Sequence, residues 1–245
     1  MSKVCLIKSN EIVNGSGLFA HDNNIVTWDS DLELLENGYQ MFYHCDALTD
    51  FRASTPRLTN GYRMFGGIKN GIYNPETADI EDFPKIQLDF DNLVDGNEMF
   101  VGSYLTLVSN HYLADGYNLF PKLKNGTWMF ASSNVCVSRG DGRYADICYL
   151  SFPSVVNAEG MFQWCKNVSE GVGGYAGSFT AVTNFSNMFA YANVLETVYL
   201  TDLLKWGNYY NSSADACLST SIEYGHAQEN GCDVSMRKMF YLSNA

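Results

Sequence analysis

Asn37-Gly38-Tyr39-Gln40-Met41-Phe42 recurs down the chain in a constant frame. Asn60-Gly61, Asp95-Gly96 and Asn125-Gly126 each lead, after two further residues, to Met64-Phe65, Met99-Phe100 and Met129-Phe130. Leu replaces Met at Leu18-Phe19, after Asn14-Gly15, and at Leu119-Phe120, after Asp115-Gly116. Looser copies end in Met161-Phe162, Met188-Phe189 and Met239-Phe240. Seven of the nine methionines precede a phenylalanine, far more than random order would produce. Self-similarity at this spacing marks a repeat protein, in which each unit buries its apolar face on its neighbour.

Counted from Leu18 through successive methionines to Met239, the units are 23, 23, 35, 30, 32, 27 and 51 residues apart. Several intervals lie in the leucine-rich-repeat range of roughly 20–29 residues, and the longer ones read as a unit plus an inserted loop. The last reads as two units, with a degenerate copy near Ala214-Asp215-Ala216-Cys217. Within a unit, Asn or Asp reads as a helix N-cap, its side-chain oxygen accepting from a free backbone N–H. Met, Phe and the residue four after Met then share an inward face. That last slot holds Cys45, Ile68, Ser103, Ser133, Cys165, Ala192 and Ser243, mostly small residues that suit tight packing.

An extended piece follows, clearest at Phe83-x-x-Ile86-x-Leu88 and Leu195-x-x-Val198-x-Leu200, and worn at Leu48-x-x-Phe51-x-Ala53. The predicted fold is therefore α/β: a leucine-rich-repeat-like solenoid of short helix plus short strand units, with a parallel sheet and irregular loop insertions. Residues 1–13, with a strand from Val4 to Ile7, read as an N-terminal cap, and residues 14–245 as a single solenoid of about eight to nine degenerate units. Insertions are expected at 66–82, 131–146, 166–178 and 205–213.

A formal charge of −12, from 15 Lys and Arg against 27 Asp and Glu, argues against nucleic acid, whose phosphates require clustered cations. The seven cysteines form no CxxC pair and no metal-ligand spacing; Cys45 and Cys165 read as packing residues over disulfide or metal, and the odd count favours reduced thiols. The apolar run Val4 to Ile7 is too short for a secretory signal before Lys8 ends it. No apolar run approaches the roughly 18 residues of a membrane span, and no membrane insertion is expected.

The frame Asn-x-x-Met-Phe-x-x-Cys/small-x-x-Leu resembles the BspA-like family of bacterial surface proteins, which carry degenerate leucine-rich repeats. Asn184 through Leu200 and Asn37 through Phe51 carry the likeness best, and it extends over residues 14–245. The resemblance implies a right-handed solenoid used for adhesion or protein binding, with no catalytic residues to carry over. Such surface proteins normally enter the secretory route, whereas a phage particle protein on the same repeat needs no signal. Two settings follow: a virion component, or a secreted adhesin at the extracellular surface.

Recognised catalytic patterns are lacking. His21, His44, His111 and His226 lie far apart in sequence, with no HExxH, no GxSxG and no Walker A lysine beside them. Gly171 to Gly177 lacks the GxGxxG spacing and reads as a flexible loop. Asp29/Asp31 and Asp89/Asp91 read as solvated strands or turns, since Leu93 occupies a liganding position of a calcium loop. Arg139-Gly140-Asp141 reads as a turn. Asn14, Asn125, Asn167, Asn184 and Asn211 fit the glycosylation acceptor pattern, but three of them are also repeat caps, which accounts for them without a sugar.

No metal, cofactor or catalytic residue is expected. Aromatic residues remain as the clue to binding, because exposed Tyr and Trp supply rigid contact area with a polar tip. Tyr73, Trp164, Tyr175, Trp206, Tyr209 and Tyr210 are the candidate binding residues, with folded-back local plugs as their alternative role. The expected function is a non-enzymatic binding or structural scaffold for protein–protein or cell-surface attachment, its partner a protein or a cell-surface glycan. An enzyme with an unrecognised site is the remaining alternative.

Overall fold

The computed structural model describes residues 8–70, 83–108, 119–138, 144–146, 152–165 and 181–192. Among them, six strands form one sheet in chain order: β1 Thr27–Asp29, β2 Asp50–Arg52, β3 Lys85–Gln87, β4 Tyr104–Val108, β5 Asn134–Ser138 and β6 Tyr144–Asp146. β1 to β5 pair in parallel, and β6 turns back antiparallel on β5. The register aligns Trp28, Phe51, Ile86, Leu107 and Val137 in one row across the sheet. The last four of these are buried. That row is why the sheet is parallel: each unit delivers its strand with the same apolar residue pointing to the same side. The expected strands around Ile86 and Phe51 are therefore present. Those at Leu195–Leu200 and Val4–Ile7 lie outside the described residues.

Among the described residues, the short helix expected at each Met-Phe pair is absent. The one helical segment among the described residues is a single 3₁₀ turn, Ser9–Glu11. Around Met41-Phe42 the backbone N–H groups alternate in direction. Those of Gly38, Gln40, Phe42 and His44 donate to the carbonyls of Asn60, Tyr62, Met64 and Gly66 in the next unit, at 2.7–3.0 Å. Those of Met41, Tyr43 and Cys45 reach back three residues, to Gly38, Gln40 and Phe42. An α-helix would instead close every bond four residues back within the segment.

This alternation requires a left-handed residue twice per unit, directly before Met and three after it. Gln40 (φ 52°) and His44 (φ 54°) are followed by Arg63 and Gly67, Glu98 and Gly102, Trp128 and Ser132, Gly160 and Trp164, Asn187 and Tyr191. The segment is a chain of tight turns with a positive-φ third residue. Its inward residues, at Gly38, Met41, Phe42 and Cys45, have the spacing of a helical stripe, which explains the helix expectation.

The cap chemistry read from Asn is nonetheless present. Asn14, Asn37, Asn60, Asp95, Asn125, Asn157 and Asn184 each accept the N–H two residues on, at 3.0–3.2 Å. That is an Asx turn, the same oxygen serving a turn instead of a helix. The seven residues also bridge in parallel from unit to unit, and Asn37 and Asn125 donate their amides to Asn14 and Asp95.

Inside, Phe19, Phe42, Phe65, Phe100, Phe130, Phe162 and Phe189 stack one on the next, with centroids 5.3–6.1 Å apart and rings within 20° of parallel. Met41, Met64, Met99, Met129, Met161 and Met188 are fully buried beside them. The glycine of the frame serves the neighbouring unit. A Cβ on Gly38 would stand 2.6 Å from Met64 Sδ, and one on Gly61 2.9 Å from Met99 Sδ. Residues 131–138, expected within an insertion, instead complete the turns of the Met129 unit and β5.

The slot four after Met is inward and tight, as expected: Cys45, Ile68, Ser103, Ser133, Cys165 and Ala192 are all fully buried. It also favours a small donor. Cys45 Sγ donates to the Phe19 carbonyl at 3.1 Å, and Ser103 Oγ to the Phe65 carbonyl at 2.6 Å. Cys45 is a free thiol.

Burial pushes the Cys45 thiol up from 9.0 to about 11, against a lowering hydrogen bond from the Asp22 backbone, while the Asp22 and Asp46 charges add to the rise. A raised thiol pKa means protonation favours the folded state, so its contribution is complete below pH 9.0 and is lost as pH climbs through about 11. We expect Cys45 to resist iodoacetamide at pH 8 until the chain unfolds, and Cys45→Ser to melt close to the parent. Rapid alkylation in the folded state would contradict both its burial and its packing role.

Candidate functional site

The two left-handed positions of each unit face outward, unlike the buried Met and slot residue that follow them. This creates a face on which side chains from consecutive units stand in columns. The column before Met reads Gly17, Gln40, Arg63, Glu98, Trp128, Gly160, Asn187. The column three after Met reads His21, His44, Gly67, Gly102, Ser132, Trp164, Tyr191.

Aromatic rings dominate both ends of this face. Trp164 is 50 % exposed and stacks on Tyr191 with centroids 4.1 Å apart and planes 9° from parallel. Trp128 is 40 % exposed and lies across Gly160, whose missing Cβ leaves the room its indole fills. At the other end Tyr39 stacks on Tyr62 at 4.8 Å, and His21 stacks on His44 at 5.3 Å with Tyr43 edge-on. The histidines, distant in sequence, meet because they hold the same position in adjoining units.

Between the two ends lies a polar cluster. Glu98 is nearly buried and pairs with the Arg63 guanidinium, and it accepts from the Tyr62 hydroxyl at 3.2 Å. Burial, together with the Glu98 carboxylate, raises the Tyr62 phenol above its ordinary value. Arg63 also lies over the Tyr62 ring at 5.4 Å. This triad is satisfied internally and locks the centre of the face.

Of the six candidate binding residues, Trp164 stands on this face, in a turn of the repeat itself. Tyr73, Tyr175, Trp206, Tyr209 and Tyr210 lie outside the described residues, as do Arg139-Gly140-Asp141 and Gly171 to Gly177. Trp128, Tyr191, Tyr39 and Tyr62 were missed because the two residues before Met and the two after Phe looked like neutral spacers. Aromatics recurring at those spacer positions were the available signal.

On the sheet side, Asp29, Asp31 and Asp89 line a cleft of about 360 Å³ with Arg52, Ala53, Ser54 and Gln87. Asp31 accepts the Ser54 N–H at 3.0 Å, and Asp89 accepts from the Ser54 hydroxyl at 3.3 Å and the Thr55 N–H at 3.4 Å. These carboxylates tie one unit to the next. Among the described residues, no group of three His, Cys, Asp or Glu side chains could hold a metal ion, and no helix is long and apolar enough to cross a membrane. Comparison with known protein families, curated proteins and solved structures found no match.

Proposed function

We propose that the chain is a non-enzymatic binding scaffold: a leucine-rich-repeat-like solenoid whose turn face attaches to a protein or a cell-surface glycan. The likeness of its frame to the BspA-like repeats and its unit-on-unit hydrogen bonding support the solenoid reading, with turn runs taking the place of the helices. A virion component or a secreted adhesin is the setting that suits such a scaffold.

The observation that carries the binding role is the half-exposed Trp164 stacked on Tyr191 at left-handed positions. Large aromatic rings kept half-exposed on the turn face are better explained by recognition than by packing.

The test is attachment of the fluorescently labelled chain to a panel of bacterial and epithelial cells. Saturable binding to at least one surface is expected, falling roughly tenfold in the Trp164→Gly/Tyr191→Gly variant, the equivalent of about 1.4 kcal/mol. Binding to none of the surfaces, or equal binding by the variant with unchanged circular dichroism, would overturn the assignment. Protease and periodate treatment of the cells distinguish a protein partner from a glycan.

A further inference from the structure

We infer that Asn14 is a site of spontaneous deamidation, and that the stack holds the same chemistry inert at Asn37, Asn60 and Asn125. The step needs water alone, and it is independent of what the turn face binds.

The frame carries Asn-Gly four times, at Asn14, Asn37, Asn60 and Asn125. Asparagine is among the thermolabile residues, and a following glycine leaves the next backbone nitrogen unshielded. That nitrogen attacks Asn Cγ and a C–N bond closes a five-membered imide. Nδ2 leaves as ammonia, carrying off the glycine N–H proton. Water then opens the ring to aspartate or, through the other carbonyl, to isoaspartate. The fold requires both residues for other reasons. Asparagine makes the Asx turn, and glycine leaves room for the next unit's methionine, as Gly38 does for Met64.

The stack opposes ring closure bond by bond. The attacking nitrogens are engaged as donors to the next unit. Gly15 donates to the Asn37 carbonyl at 2.8 Å, Gly38 to Asn60 at 2.7 Å, Gly61 to Asp95 at 2.8 Å and Gly126 to Asn157 at 2.9 Å. The imide has no N–H, so its formation forfeits that bond outright. Each Oδ1 is tied to the N–H two residues on, at 3.0–3.2 Å. Two leaving groups are held as well, the Asn37 and Asn125 amides donating to Asn14 and Asp95 at 3.1 and 3.0 Å. Closure therefore waits for a unit to open.

Opening is easiest at the first unit of the described array. Leu18 is 40 % exposed and Phe19 only partly buried, where the Met and Phe of the later frames are fully buried. Asn14 itself is exposed, while Asn37, Asn60 and Asn125 are half-buried. The product is also tolerable there. At Asp95 a carboxylate keeps the ladder geometry, its Oδ1 accepting the Asn97 N–H and the Asn125 amide, both at 3.0 Å. An aspartate at position 14 accepts the Asn37 amide in the same way. Isoaspartate lengthens the backbone by a carbon and shifts the register, which an interior unit would pass to both of its neighbours.

The experiment is prolonged incubation of the whole chain at neutral pH, folded and in parallel in urea. Peptide mapping with isoaspartyl methyltransferase labelling and mass spectrometry reads each site. In urea the four steps should convert at comparable rates. In the folded chain Asn37, Asn60 and Asn125 should slow by at least about tenfold against urea, and Asn14 should lead them by a similar factor. Phe19→Ala, which loosens the first unit, should speed Asn14 and leave Asn125 unchanged. Equal folded rates at the four sites, or an Asn14 that lags any of the others, would overturn the assignment. So would an interior site converting as fast folded as in urea, or an Asn14 rate unmoved by Phe19→Ala.

Discussion

Phe65→Ala is expected to cost about 3–5 kcal/mol, the usual penalty for truncating a large buried aromatic, and to be among the most damaging single changes in the chain. Phe65 is fully buried and stacks between Phe42 at 5.7 Å and Phe100 at 6.1 Å, with Phe51 edge-on at 5.0 Å. Its removal opens a hole at two unit interfaces at once, and in a stacked array interface terms carry much of the stability. Phe19 at the start of the column is only partly buried, against Phe42 and Trp28, so Phe19→Ala should cost distinctly less. Urea unfolding followed by circular dichroism distinguishes the two. Equal losses would mean the column is not continuous. A lowered denaturant slope for Phe65→Ala would show the array unfolding in two parts.

Gly38→Ala carries the second large effect, an expected destabilisation of about 1–3 kcal/mol from overpacking. The new methyl would meet Met64 Sδ at 2.6 Å and Leu58 Cδ1 at 3.3 Å, inside the normal carbon contact distance of about 3.5–4.0 Å. The clash relaxes along the chain. The closest approach is 2.9 Å at Gly61, 3.0 Å at Gly96 and 3.1 Å at Gly126, and the next unit holds Ala158 in the same place. The cost of alanine should therefore fall steadily from Gly38 to Gly126.

Because the closest partner is one methionine, the effect should also be non-additive. Met64→Ala alone is expected to cost about 2–5 kcal/mol. Adding Gly38→Ala to it should cost nothing more, a coupling in the range of about 0.5–3 kcal/mol typical of residues in contact. Strict additivity in a double-mutant cycle would show that glycine is present here for some other reason.

Much of this architecture is legible in the unaligned sequence, because periodicity survives without knowledge of distant contacts. The frame from Asn through Gly to Met-Phe, the inward Met and Phe, the small slot at Cys45 and Cys165, and the strands around Phe51 and Ile86 all follow from composition at fixed spacing. Each records which side chains turn inward, and burial of apolar groups is a property the residues announce themselves.

What only the tertiary structure decided is where the backbone N–H groups go. Inward residues at Gly38, Met41, Phe42 and Cys45 suit a helix as well as a run of turns. The choice was made by carbonyls 22 residues ahead in the next unit, such as Tyr62 for Gln40 and Gly66 for His44. Once those bonds form, two residues per unit must turn left-handed, and their side chains are carried to the outer face. That is how Trp128, Trp164 and Tyr191 come to share a surface, and how His21 meets His44. Residues from different units become neighbours only when the register between units is set, and that register is a property of the stack as a whole.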